Sequence, residues 1–157
     1  MKLTYNIKII RVGKIKNKYF YNASKLYFDR IKNICNIKEI IIKEVKAKNF
    51  STIINQEGKN IINKIDKKDF IILLDEKGKL FNSIEFSKVI DNICTQQKIP
   101  CFIIGGSYGN SQQIKNKADL LISLSPLTFC HELAYVVLLE QIYRSLTIII
   151  GHPYHNE

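Results

Sequence analysis

Apolar residues recur along this chain in two periods, and segments of one alternate with segments of the other. TYNIKIIRVGK (residues 4–14) alternates about Ile7, Ile9 and Arg11 and stops at Gly13, which predicts a first strand. A helix is predicted from about Asn17 to Ile34, with Phe20, Leu26, Tyr27 and Ile31 at near-helical spacing. The β-branched run Ile37–Val45 predicts a second strand. In the polar, basic loop KAKNFST, Ser51 or Thr52 is placed to cap a helix over about Ile53–Lys64 that buries Ile54, Ile61, Ile62 and Ile65. Phe70–Leu74 predicts a third strand ending in Asp75, and DEKGK a turn. Asn82 or Ser83 then caps a helix running to about Lys98. Cys101–Ile104, behind Pro100, is short enough for a strand buried on both faces; Asp119–Ser123 holds a short fifth strand, and His131 to Ser145 reads as helix. The order β-α-β-α-β-α-β-(α)-β-α predicts one α/β domain over residues 1–157, its mainly parallel sheet flanked by helices.

Composition narrows the setting. The longest apolar runs fall far below the ~20 residues of a membrane span, and Met1-Lys2 opens no apolar targeting segment. Cys35, Cys94, Cys101 and Cys130 are scattered without metal-like spacing and read as reduced thiols, so a cytoplasmic location without membrane attachment is expected. The formal charge is +10, yet of the 24 basic residues only Arg11, Arg30 and Arg144 are arginines. A lysine coat of this kind fits a solvated surface or a phosphate-binding one, and charge alone leaves both open. In so lysine-biased a chain each arginine is informative.

Ligands of parallel sheets bind at the carboxyl ends of the strands. Three segments are expected to converge there: Leu74-Asp75, Gly105-Gly106 and the apolar loop Leu124–Phe129. The turn GGSYG is neither a P-loop, since no Lys-Ser/Thr follows, nor a dinucleotide GxGxxG. It serves equally as a structural turn or a ligand loop. The apolar loop beside it suits a flat, uncharged base such as adenine better than a triphosphate. Glu140 and Arg144 stand four apart on one helix, the spacing of an ordinary ion pair. His131 and Tyr135 share a face of that helix, with capping or packing the more ordinary use of His131. The ending His152-Pro153-Tyr154-His155 is unusual for a chain terminus. No carboxylate or cysteine joins its histidines at a ligand spacing, so no metal is expected.

Taken in order, GGSYG, SLSPLTF, HELAYVVLLEQIYRS and the closing HPYH resemble the SPOUT-class ribosomal RNA large subunit methyltransferase H family. The resemblance covers the whole chain, through IIRVGKIK, Tyr27–Ile31, Glu57-Gly58 and LLDEKGK with Ser83 and Phe86. It implies a SPOUT-type α/β knot, the C-terminal segment threaded through a loop, and a homodimer. It also implies S-adenosylmethionine as methyl donor, in a pocket lined by Leu74, Gly105, Leu124, Ser125, Pro126, Leu127, Thr128 and Phe129. The implied reaction methylates N3 of a pseudouridine in a stem-loop of large-subunit (23S) rRNA, within the assembled ribosome.

For that reaction the resemblance points to Arg144, Tyr154 and His155 as the catalytic set. Arg144 would stabilise the developing base anion or hold a phosphate, while the tail would bring Tyr154 and His155 to the pocket mouth. The chain departs from the family pattern in two places. It has Cys130, His131 and Glu132 where Pro-His-Gln or Pro-His-Pro is usual, and Tyr135 where an arginine is common. The second departure raises the alternative of a weakened relative that binds rRNA or ribosomes without efficient methyl transfer.

Overall fold

Strand β1 (Asn6–Val12) shows why a sheet with two covered faces forms. Ile7 and Ile9 turn to one side and Ile10 and Val12 to the other, and all four are buried. A computed structural model describes residues 2–156. Ten elements follow one another: β1, α1 (Lys18–Ile34), β2 (Asn36–Ile42), α2 (Phe50–Ile62), β3 (Asp69–Leu80), α3 (Ser83–Thr95), β4 (Ile99–Ile104), α4 (Gln112–Lys117), β5 (Leu120–Ser123) and α5 (His131–Ile149). The five strands form one sheet in the order β2-β1-β4-β3-β5, and every neighbouring pair is parallel. The chain thus has the α/β architecture that its hydrophobic pattern predicts.

Each face of the sheet has its own core. On one, Ile7, Ile9, Ile72, Phe102 and Ile104 pack under α1, α3 and α5. On the other, Ile10, Val12, Ile71, Leu73 and Ile103 pack with Ile61 of α2 and Ile114 of α4. Fully burying one such isoleucine is worth roughly 1.5–3 kcal/mol, so alternation along the strands suffices to hold helices on both sides. At the amino end of the sheet, buried Lys8 is satisfied by Asp66 and Asp69 carboxylates at 2.8 and 2.7 Å. Among the described residues no helix is long and apolar enough to cross a membrane.

Several boundaries differ from the sequence expectation, each for a local reason. Helix α2 begins at Phe50, because the side chain of Asn49, not of Ser51 or Thr52, accepts the Ser51 N–H and caps it. Its buried isoleucines are Ile53 and Ile61, while Ile54, Ile62 and Ile65 are only partly covered. Helix α3 stops at Thr95, short of Lys98, where Gln97 takes a φ of 60°. Helix α5 runs past Ser145 to Ile149 before turning at Gly151, whose φ is 67°. Strand β2 ends at Ile42, not at Val45.

The largest difference lies in DEKGK, which is no free turn but part of β3. Leu74 pairs with Ile122 of β5, the next residues bow outward, and Lys79 pairs with Ile122 again. Gly78 makes the return possible: a Cβ there would lie 2.4 Å from the Ile122 carbonyl carbon. The bowed residues 75–77 therefore project from the carboxyl end of the sheet.

Candidate active site

Strands β4, β3 and β5 lie side by side, and their carboxyl ends open into a pocket of about 920 Å3. Leu74 of β3 forms one wall, Gly105 and the following glycine turn another, and the loop 124–129 a third. All eight residues expected to hold the methyl donor line this one pocket. The loop keeps its shape through its own hydroxyls: Ser123 Oγ donates to the Ser125 carbonyl at 2.9 Å, and Ser125 Oγ accepts the Leu127 N–H at 3.0 Å.

The glycine turn is braced from below by residues that spacing alone did not single out as site residues. Asn110 Nδ2 donates to the Leu74 carbonyl at 2.8 Å, tying the end of β3 to the turn. A Cβ on Gly105 would meet Asn110 Oδ1 at 2.3 Å, and one on Gly106 would meet Glu57 Oε2 at 2.6 Å. Glu57 in turn accepts the Val45 N–H at 3.0 Å, and Gly58 lets α2 approach Ser111, the cap of α4. Burial pushes the Glu57 carboxyl up from its ordinary value, only partly offset by the Val45 N–H. The sequence signal for this brace is Glu57-Gly58, which reads as family-like without showing what it touches.

Asp75 at the pocket wall behaves oppositely. Burial opposes its charge, but the Lys77 N–H at 3.0 Å and Lys115 Nζ at 3.1 Å outweigh it and hold the carboxyl below the usual range. Its carboxylate is thus a fixed negative charge at the rim, and Lys115 its counter-ion.

Arg144, Tyr154 and His155 come together, but elsewhere. Arg144 Nε and Nη2 bind Glu140 Oε1 at 3.0 and 2.6 Å, the ion pair that their spacing predicts. The Tyr154 ring lies 4.7 Å below the Arg144 guanidinium and edge-on to Tyr143, and its hydroxyl donates to Glu140 at 3.1 Å. His155 Nδ1 stands 3.2 Å from Arg144 Nη1. None of the three lines the pocket. The tail folds over the end of α5 and does not reach the pocket mouth of its own chain. His131 and Ala134, at the start of α5, do line it. Arg144 is more than three turns further along, about 20 Å from His131 at 1.5 Å per residue.

Tyr135, one turn into α5, is 3% exposed. Its hydroxyl donates to Glu39 Oε1 at 2.5 Å, and the Arg11 guanidinium stacks 4.7 Å over its ring. Arg11 Nε also binds Glu39 Oε1, at 2.7 Å. Burial and the Glu39 carboxylate raise the phenol well above its ordinary value, so it stays protonated.

Comparison with known proteins bears on this arrangement. A family model described as "Predicted SPOUT methyltransferase" matches residues 5–155. A protein of Caldicellulosiruptor bescii named ribosomal RNA large subunit methyltransferase H is 43% identical over 153 residues, covering 96% of this chain and 99% of its own. The protein of that name from Clostridium botulinum is 40% identical over 158 residues, and that from Nitratidesulfovibrio vulgaris 35% over 153. They cover 96% of this chain and 99% and 98% of their own. The chain belongs to the SPOUT methyltransferases, in the large subunit methyltransferase H family.

SPOUT methyltransferases use S-adenosylmethionine, and the pocket has the character that this ligand needs. Leu124, Leu127 and Phe129 offer an apolar wall for an adenine, and no lysine of P-loop type follows the glycines. Among the described residues Asn110 Oδ1 is a buried acceptor without a partner. It is turned towards Gly105, inside the glycine turn that forms one wall of the pocket.

Proposed function

We propose that this SPOUT methyltransferase transfers a methyl group from S-adenosylmethionine to N3 of a pseudouridine in a stem-loop of large-subunit rRNA. The observation that carries the reading is the pocket where β3, β4 and β5 end, built from a glycine turn and an apolar loop. The names of the relatives, which specify large-subunit rRNA, support the substrate class. Leu74, Gly105, Leu124, Ser125, Pro126, Leu127, Thr128 and Phe129 hold the donor, whose sulfonium supplies the methyl group. The knotted threading of the C-terminal segment is part of the same reading, supported by membership of the SPOUT family.

The distance of about 20 Å along α5 speaks for a homodimer. A two-fold pairing places the Arg144 cluster of one copy over the pocket of the other. Helix α5 carries apolar Leu133, Val136 and Val137 outside its fully buried stripe, a surface for such pairing.

The cluster has the polarity that attack by a pyrimidine-type N3 requires. Arg144 is fixed by Glu140 and aims its cation at the base anion that forms as the N3 proton leaves. Arginine only donates, so the His155 nitrogen beside it, Nδ1, is the acceptor and Nε2 the donor. His155 then donates a hydrogen bond to a carbonyl oxygen of the base. Burial and hydrogen bonding to Tyr27 and Glu140 raise the Tyr154 phenol, so Tyr154 remains protonated, its proton held by Glu140, and positions the base by stacking. The N3 proton goes to water.

Mass spectrometry of large-subunit rRNA from cells with and without the gene tests the reading. An N3-methylpseudouridine present only with the gene is expected; identical rRNA in both would refute it. Titration calorimetry should show S-adenosylmethionine binding and no ATP binding.

A further inference from the structure

Two aromatic rings stand stacked in the open beside the pocket. Phe50 and Tyr108 lie 4.4 Å apart at 23°, yet are 61% and 51% exposed. Rings that serve a core are covered, and these stand more than half open to solvent. Both have rigid mounts. Phe50 is the first residue of α2, fixed by the Asn49 cap. Tyr108 sits inside the glycine turn, which closes on itself through the Gly109 N–H to the Gly106 carbonyl at 3.1 Å. Tyr108 also lines the pocket, so the pair stands at its mouth.

The surroundings are cationic. The irregular segment between β2 and Phe50 exposes Lys43, Lys46 and Lys48. Its one acid, Glu44, faces Lys16 Nζ at 3.5 Å. A preformed aromatic stack next to lysines that pair with no carboxylate among the described residues matches the two parts of a nucleotide in a single strand, a flat base and a phosphate. An apolar protein face would use the rings but leave the lysines unmatched.

We propose that Phe50 and Tyr108 form a stacking platform for an unpaired base of the RNA substrate, next to the base that enters the pocket. Lys46 and Lys48 hold the adjoining phosphates. The platform rests on the reading that the substrate is RNA and adds to it a site for a flanking nucleotide outside the donor pocket.

The test uses the whole protein and a short single-stranded oligouridylate containing 5-iodouridine, which crosslinks on irradiation to aromatic rings stacked on it. Mass spectrometry of the peptides should place the crosslink on Phe50 or Tyr108. Phe50→Ala should weaken probe binding about 5- to 20-fold, the loss of one stacking ring, while Phe50→Trp restores it. Binding of a matched RNA duplex should not respond to either change. Affinity for S-adenosylmethionine should stay at the wild-type value, because Phe50 does not line the pocket. The proposal is overturned if the crosslink lies elsewhere or Phe50→Ala binds the probe normally. It is equally overturned if donor affinity falls in parallel, which would make the pair a clamp for the turn, or if Phe50→Ala lowers the dimer mass. The crosslink is read on the unaltered protein, so it decides even if a variant fails to fold. Absent donor binding by the wild type would refute the proposed function separately.

Discussion

Gly105→Ala is the sharpest probe of how the pocket is held. Gly105 does not have a left-handed φ, so alanine costs nothing in backbone conformation and acts only through its methyl group. That methyl would stand 2.3 Å from Asn110 Oδ1 and 3.3 Å from the Gly109 carbonyl oxygen. Asn110 cannot swing away freely, since its amide holds the Leu74 carbonyl at 2.8 Å. Either the hydrogen bond breaks, at about 0.5–1.5 kcal/mol, or the turn shifts, an overpacking cost of about 1–3 kcal/mol. Either way the loss is about 0.5–3 kcal/mol, a fall in Tm of about 1–12 °C for a chain of this size. Leu74 and the turn both line the pocket, so donor affinity should fall at least about tenfold.

Thermal unfolding and calorimetric titration with S-adenosylmethionine read the two effects. Adding Asn110→Ala to Gly105→Ala removes the obstructing oxygen. The double variant should therefore be more stable than the sum of the single changes predicts, by about 1 kcal/mol or more. Wild-type Tm and donor affinity in Gly105→Ala would refute the argument, as would a cycle without coupling.

Three further outcomes follow from other contacts. Tyr135→Phe removes the bond to Glu39 and should cost about 1–3 kcal/mol in denaturant unfolding, without lowering methylation per folded molecule; unchanged stability would show that the bond contributes nothing. Burial raises the Glu57 carboxyl above 4.5 in the fold, so its contribution is fully present below that pH and lost as pH rises through the folded value. Glu57→Gln cannot ionise, so its Tm relative to wild type should climb as pH is raised from 4.5 towards neutrality; a constant difference would refute this. A chain ending at Gly151 loses Tyr154 and His155 but none of the pocket, and should bind donor normally while methylating rRNA about 100-fold more slowly, the scale of lost positioning. An unchanged rate would remove the tail from the mechanism.

Much of this molecule was legible because its signals are local. Alternating isoleucines set the strands, and Asn82 with Glu85 makes a capping box that starts α3 where the sequence places it. The convergence of the pocket segments was legible as well, since strand order alone brings Leu74, Gly105 and the loop 124–129 to one end. What escaped depends on contacts between distant residues. DEKGK reads as a turn because nothing within it announces β5, and only the approach of Gly78 to Ile122 reveals the second pairing. Glu57 beneath Gly106 and Asn110 beside Gly105 escaped for the same reason: each partner is unremarkable until the fold joins them. The tail was expected at the pocket mouth; it lies instead against Arg144, away from the pocket of its own chain, because of the length and direction of α5.

Tyr135 illustrates how a departure from a family pattern should be weighed. Read in sequence, a tyrosine in place of an arginine subtracts a cation near the pocket and suggests a weakened enzyme. In the fold this position is 3% exposed and already has a cation above it, Arg11, at 4.7 Å. Glu39 accepts from both Arg11 and Tyr135 through one oxygen. A second arginine here would share a single carboxylate with Arg11 in a buried site, an arrangement that is costly unless further acceptors are supplied. Tyrosine satisfies the same carboxylate as a neutral donor and fills the space beneath the guanidinium. Side chain 135 therefore works in packing and is not available to a phosphate, so its loss of charge removes no surface contact. The cations that meet RNA must be the exposed ones, and at the carboxyl end of the sheet these include Lys14, Lys43, Lys46, Lys48 and Lys77. The reason for expecting a weakened relative disappears with that assignment, and salt dependence of RNA binding should follow the rim lysines and not residue 135.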